Sequence, residues 1–101
     1  MFGFLKNIFG SSEPVEIKTN AFIVDVRSQG EFASGSVKGA VNIPLDNIRS
    51  QIAKFKGKEQ VVVFCRSGMR SAQAKSILES NGIENVVNAG GLGQAQALLN
   101  K

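Results

Sequence analysis

The 101-residue chain contains no histidine, tryptophan or tyrosine, and it has a single cysteine, Cys65. One cysteine excludes a disulfide within the chain and a Cys-x-x-Cys redox pair, and without histidine a structural zinc site is excluded too. Absence of histidine also removes the usual general base, so Ser-His, Cys-His and histidine–metal mechanisms fail together. We expect no bound metal and no cofactor. Any chemistry at Cys65 must proceed without an imidazole.

The charge of the chain is moderately positive, with 12 basic and 8 acidic residues and a net charge of +4. This balance favours an anionic small molecule or an acidic protein surface as the partner. Nucleic acid is not an expected partner, because only Lys54, Lys56 and Lys58 cluster and phenylalanine is the only aromatic residue available for base stacking. We interpret the lysine cluster as the solvated end of a helix.

The first ten residues are largely apolar but too few to span a bilayer. They lack the basic start, continuous apolar core and cleavage site of a signal peptide, so we expect a cytoplasmic protein. Residues 1–16 are interpreted as an arm or short helix with a Gly-Ser-Ser-Glu-Pro linker, followed by a single domain at 17–101. Docking of residues 1–9 to a membrane surface or a partner is the alternative.

Short apolar runs alternate with helix-like segments through the rest of the chain. Strands are predicted at 22–26, 39–44, 60–64 and 86–87, and helices at 28–33, 46–55, 70–80 and 94–99. Ser28 and Glu31 have the spacing of a capping box, and Asn81-Gly82 marks a helix end. This alternation predicts an α/β fold, an open parallel sheet with helices on both faces. Ligands bind such sheets beyond the carboxyl ends of the strands, where Cys65 lies.

Residues 61–71 read Val-Val-Val-Phe-Cys-Arg-Ser-Gly-Met-Arg-Ser, so a β-branched run delivers Cys65 to a short loop before a helix. A thiolate is the reactive form of cysteine, and its pKa falls near a helix N-terminus and cationic side chains. We predict that Cys65 is a nucleophile. The alternative is a buried, unreactive cysteine, against which two adjacent guanidiniums argue.

The loop after Cys65 is predicted to be an anion nest, in which successive backbone N–H groups point inward. Its residues are Arg66, Ser67, Gly68, Met69 and Arg70. The glycine lets the backbone bend or approach a ligand closely, and the two arginines can donate charge-assisted hydrogen bonds to an oxyanion. The loop is therefore the predicted substrate-binding element.

This loop and three other segments, in the same order, resemble the rhodanese (thiosulfate sulfurtransferase) superfamily. Asp-Val-Arg at 25–27 followed by Glu-Phe at 31–32 resembles the Asp-Val-Arg…Glu-Phe segment of the family. Residues 35–44 resemble its Gly-His-Ile-x-Gly-Ala-x-Asn-Ile-Pro segment, and Gly-Gly-Leu at 90–92 resembles its late Gly-Gly turn. The resemblance covers about residues 17–99 and implies a rhodanese-like fold.

The resemblance implies a persulfide mechanism and a single-domain sulfurtransferase. Cys65 would attack the outer sulfur of thiosulfate, sulfite would leave, and the persulfide would pass its sulfur to cyanide or a thiol. Backbone N–H groups from Arg66 to Arg70 would cradle the persulfide, and one of these arginines would meet the sulfonate of the donor. With one cysteine, the acceptor must be external, and a thioredoxin-like protein is a candidate.

Three features depart from the family pattern. Ser36 stands where the family usually has a histidine, which we interpret as structural, and Ala95 stands where a late tryptophan is common. The segment before Phe22 is shorter than the usual first strand and helix, so residues 1–9 are expected to cover surface left bare there. These departures are expected to affect substrate fit and edge packing rather than the reaction type.

Three charged residues, Asp25, Arg27 and Glu31, lie beside the predicted site, and we interpret them as structural. Arg27 and Glu31 are expected to form an ion pair that fixes the turn, and Asp25 to accept backbone N–H bonds. A catalytic role for the Asp25 carboxylate is the alternative.

Three other functions would use the same cysteine. A phosphatase or an arsenate reductase on this fold needs five residues between cysteine and arginine, whereas four separate Cys65 from Arg70 and position 71 is serine. The nest would then be too tight for a tetrahedral phosphate. A non-enzymatic persulfide carrier that serves one protein partner needs the same cysteine and loop as a transferase, and the sequence leaves both of these open.

Overall fold

The computed structural model describes residues 16–99. The strands are β1 (Phe22–Asp25), β2 (Val41–Asn42), β3 (Val61–Phe64) and β4 (Val86–Asn88), and the α-helices are α1 (Gln29–Ala33), α2 (Met69–Ser80) and α3 (Leu92–Leu99). Two 3₁₀ segments, Leu45–Asn47 and Arg49–Phe55, connect β2 to β3. The arm expected at residues 1–9 lies outside the described residues. No helix within 16–99 is both long and apolar enough to cross a membrane.

The four strands form one parallel sheet in the order β2-β1-β3-β4. β3 lies between β1 and β4, with Phe22 opposite Val61 and Val61 opposite Val86. All four residues of β3 are buried, as the continuous Val-Val-Val-Phe run indicates for a parallel strand covered on both faces. The chain passes from β1 outward to β2 and then back beyond β1 to β3. The carboxyl ends of β1 and β3 therefore form the switch point of the sheet, where such folds bind ligands.

Side chains of β3 alternate between two cores on opposite faces of the sheet. Val61, Val63 and Cys65 pack into the first core, which α2 and the two 3₁₀ segments cover. Val62 and Phe64 pack into the second, which α3 covers. The predicted open parallel sheet with helices on both faces is confirmed. Ala95 is fully buried in the second core, so this small side chain of α3 packs close to the sheet.

The helix predicted at 46–55 is present as two 3₁₀ segments rather than as one continuous helix. The second segment is itself broken at Gln51 (φ −119°, ψ 19°). The turns of this connection are closed by backbone hydrogen bonds between residues three apart in the chain, such as Ile48 N to Leu45 O and Gln51 N to Ile48 O. The pattern still identified the inward side chains, since Ile48 and Phe55 are buried. Predicted boundaries of the other elements agree with the structure within two residues.

Candidate active site

Cys65 lies directly after β3, at the switch point of the sheet, and is fully buried. Its backbone N–H donates to Gly90 O at 3.0 Å, so the start of the loop is hydrogen-bonded to the turn that follows β4. A Cβ at Gly91 would collide with the carbonyl of Arg66, and Gly68 has φ +100°, which L side chains rarely adopt. Glycine at these two positions lets the loop close tightly over the turn and reverse into α2.

The thiol of Cys65 sits at the first turn of α2 and is surrounded by hydrogen-bond donors. Gly68 N donates to Sγ at 2.9 Å and Ser71 N at 3.4 Å. The Ser71 hydroxyl lies 3.4 Å from Sγ, 3.1 Å from Gly68 O and 2.7 Å from Asn88 Oδ1. Its single proton can be donated to only one of these three atoms at a time. The hydrogen bonds donated to Sγ stabilise negative charge on the sulfur.

The pKa of Cys65 results from two opposing effects. Burial of the thiol disfavours the thiolate and raises the pKa, but hydrogen bonds from the Ser71 hydroxyl and from the N–H groups of Ser71, Gly68 and Ser67 outweigh it. The pKa is therefore lowered from its ordinary value. The sequence predicted this direction from a helix terminus and two arginines, whereas hydrogen bonds to sulfur are the main lowering cause in the structure.

Ser71 is a site residue that the sequence pattern did not indicate. The predicted nest ended at Arg70, yet the Ser71 side chain is fully buried and contacts the sulfur. The available signal was a serine in the first turn of a helix that follows a reactive cysteine. Its role depends on the path of that turn, which brings residue 71 back over residue 65.

Replacing Ser71 by alanine is expected to raise the pKa of Cys65, because the hydroxyl is the largest of the contributions that lower it. Alkylation by iodoacetamide measured against pH should show a midpoint shifted upward. At a pH between the two midpoints, the wild type is mostly thiolate and the variant mostly thiol, so the wild type reacts faster. Ser67→Ala is the matched control, since residue 67 contributes only its backbone N–H. Equal midpoints for all three proteins would contradict this account.

The predicted ion pair between Arg27 and Glu31 is wrong. Arg27 instead pairs with Asp25, at 2.7 Å from Nη2 to Oδ2, and Glu31 pairs with Arg70, at 2.8 Å from Oε1 to Nη1. The partners follow from position: Asp25 ends a buried strand two residues before Arg27 and needs a charge partner there, whereas Glu31 lies in α1 facing the start of α2. Glu31 therefore pairs with another arginine than the one expected, and Asp25 pairs with Arg27 in addition to accepting the expected backbone N–H bond.

The Asp25 carboxylate is the centre of a buried network beside the site. It accepts the backbone N–H of Arg27 at 2.9 Å, the Nε and Nη2 of the same residue, and the Ser36 hydroxyl at 2.8 Å. Arg27 also donates to Gly35 O at 2.6 Å. Ser36, which departs from the family pattern, thus anchors the segment between α1 and β2 to the end of β1.

Glu31 joins α1 to α2. Its carboxylate completes the predicted capping box by accepting the Ser28 N–H at 3.0 Å, and it receives two bonds from Arg70, at 2.8 and 3.1 Å. Hydrogen bonds from Arg70 and then from Ser28 lower the pKa of Glu31 to about 2. Because the pKa is lowered, the ionised Glu31 carboxylate stabilises the folded state. This contribution is fully present above the unfolded pKa of 4.5 and is lost as the pH falls through about 2.

The remaining loop side chains face outward. Arg66 and Ser67 are exposed, and the Met69 residue is 75% exposed at the start of α2. A groove of about 720 Å³ lies nearby between the 3₁₀ segments and the outer face of α2, but Cys65 is not among its lining residues. Within 16–99, no three His, Cys, Asp or Glu side chains cluster closely enough to hold a metal ion.

A profile of the Rhodanese-like domain family matches residues 5–96. The chain therefore belongs to the rhodanese-like domain family, and the predicted family is confirmed. Its relatives include the thiosulfate sulfurtransferase PspE of Escherichia coli, which is 41% identical over 71 residues, 68% of each chain. The putative sulfur carrier protein YrkF of Bacillus subtilis is 29% identical over 66 residues, 65% of this chain and 36% of that protein.

Solved structures give the same assignment. A structure described as rhodanese with anions from E. coli superposes with a TM-score of 0.68 and 38% identity, covering 73% of this chain and 89% of that one. A rhodanese-like domain protein from Staphylococcus aureus gives a TM-score of 0.66 at 38% identity, covering 84% of this chain and 76% of that one. Family membership and these relatives support sulfur transfer as the class of chemistry.

Proposed function

We propose that the protein is an enzyme that transfers sulfane sulfur from a small anionic donor such as thiosulfate, through a Cys65 persulfide, to an external acceptor. The observation that carries this proposal is the position of Cys65 Sγ, held at the N-terminus of α2 by the N–H groups of Gly68 and Ser71. A preformed thiolate needs no general base, in agreement with a chain that has no histidine. The relative PspE, named a thiosulfate sulfurtransferase, supports thiosulfate as the donor.

In the first half-reaction, the Cys65 thiolate attacks the outer sulfur of thiosulfate. The new bond joins Sγ to that sulfur, the sulfur–sulfur bond of the donor breaks, and sulfite leaves with the bonding electron pair. The N–H donors of the loop stabilise negative charge on Sγ and then on the outer sulfur of the persulfide. Arg66, exposed at the rim, supplies positive charge toward the departing sulfite.

In the second half-reaction, cyanide or an external thiolate attacks the outer sulfur of the persulfide. The bond to Sγ breaks, Cys65 leaves as a thiolate, and the product is thiocyanate or the persulfide of the acceptor. A thiol with a lowered pKa is a better leaving group, so the same hydrogen bonds that form the thiolate also favour its release. Cys65 is the only cysteine, so no second thiol of this chain can resolve the persulfide.

Intact mass spectrometry tests the proposal. Protein treated with thiosulfate and freed of excess donor should gain the mass of one sulfur atom, and addition of cyanide should remove it and produce thiocyanate. With both substrates in excess, the transferase should complete many cycles. A persulfide that forms but is discharged only by one protein partner would instead identify a sulfur carrier, and an unchanged mass would contradict both.

A further inference from the structure

The Glu31–Arg70 pair joins the reactive loop to α1 in a fixed geometry. Both guanidinium bonds of Arg70, at 2.8 and 3.1 Å, end on the same carboxylate, 39 residues away in the chain. That carboxylate is itself fixed, because Ser28 donates to it from its backbone N–H and its hydroxyl, each at 3.0 Å. Such bidentate pairs fix orientation as well as charge. Arg70 is therefore held in place before a donor arrives.

Arg70 lies in the first turn of α2, next to a residue that contacts the reactive sulfur. The next residue, Ser71, bonds to Cys65 Sγ through its backbone and side chain. The pKa of Arg70 is raised first by the hydrogen bonds to Glu31, and also by the negative charge of Cys65. Glu31 thus places a negative charge 2.8 Å from the guanidinium of a loop arginine, and any anion drawn to Arg70 also meets Glu31.

We propose that Glu31 is a specificity-determining residue, which holds Arg70 in an ion pair and thereby weakens the preference of the loop for doubly charged sulfur donors over singly charged ones. This inference rests on the proposed function. The interaction energy of two charges scales with their product, so one carboxylate opposes a dianion about twice as strongly as a monoanion. The Glu31 side chain is 26% exposed, so salt screens this effect only partly.

Glu31→Gln removes the charge but keeps most of the structure. Glutamine in this position also completes a capping box, and its amide oxygen can accept a bond from Arg70. The donors to compare are thiosulfate, with two negative charges, and methanethiosulfonate, with one. Each gives its outer sulfur to Cys65, and the leaving groups are sulfite and methanesulfinate respectively. We expect kcat/KM to rise about fourfold for thiosulfate and about twofold for methanethiosulfonate, since doubling the interaction free energy squares the ratio.

The matched control is Glu59→Gln, which removes the same charge from the far end of β3, where Glu59 pairs with Lys18 at the surface. This variant should leave the ratio of the two donors unchanged. Raising the ionic strength should shrink the gain of Glu31→Gln for thiosulfate more than for methanethiosulfonate.

An equal loss of kcat/KM for both donors in Glu31→Gln, or an unchanged donor ratio, would overturn the inference and leave the pair a structural tie. The function on which it rests fails in a different way. In that case, wild-type protein would form a Cys65 persulfide with neither donor, whatever residue occupies position 31.

Discussion

Replacing Cys65 by serine is expected to reduce sulfur transfer from thiosulfate to cyanide to the uncatalysed background. A hydroxyl cannot form a persulfide, and the chain has no second cysteine that could replace it. The fold should be retained, because serine is close in size and its oxygen can accept the N–H bonds of Gly68 and Ser71. Thiocyanate formation is measured for both proteins at equal concentration.

Circular dichroism and urea unfolding of the Cys65→Ser protein provide the control. A folded variant without activity assigns the loss to the missing sulfur. Thiocyanate production above background by the folded variant would remove Cys65 from the reaction, and with it the proposed mechanism.

Replacing Arg27 by leucine is expected to lower the free energy of unfolding by about 3 kcal/mol, because loss of one partner leaves a buried charge uncompensated. Asp25 is fully buried, and the Arg27 side chain is only 6% exposed. The variant keeps the Ser36 hydroxyl as a donor to the carboxylate but loses the bidentate guanidinium. Urea denaturation of wild type and variant gives the difference.

Lys18→Ala is the matched control for this pair. Lys18 Nζ lies 3.7 Å from Glu59 Oε2, and the two side chains are 40% and 55% exposed. Exposed ion pairs contribute less than about 1 kcal/mol to the free energy of unfolding. If Arg27→Leu destabilises the protein no more than Lys18→Ala, the buried network is not what stabilises the end of β1.

The parts of the fold that the sequence predicted are those set by local chemistry. A run of three valines and a phenylalanine can be buried on both faces only in a parallel strand or a core helix, and its length of four favours the strand. The capping box of Ser28 and Glu31 marks the start of α1 in the same local way. Cys65 directly follows β3 in the sequence, and ligands bind such sheets beyond the carboxyl ends of parallel strands. Cys65 could therefore be assigned to the ligand-binding edge of the sheet.

The parts that the sequence did not predict depend on contacts between distant segments. The inward pattern of Ile48 and Phe55 fits an α-helix and two 3₁₀ turns equally well, so it identified the buried side chains but not the backbone. The partner of Glu31 is 39 residues away, and nothing local favours Arg70 over Arg27. Ser71 reaches Cys65 only through the path of the first turn of α2.

The central claim is that Cys65 takes sulfur from the donor before any acceptor is present. The most direct measurement mixes the protein with thiosulfate alone and follows free sulfite with time. The account predicts a rapid release of sulfite equal in amount to the protein, followed by no further release until cyanide is added. Sulfite that appears only together with an acceptor, or an equal release from the Cys65→Ser protein, would contradict it.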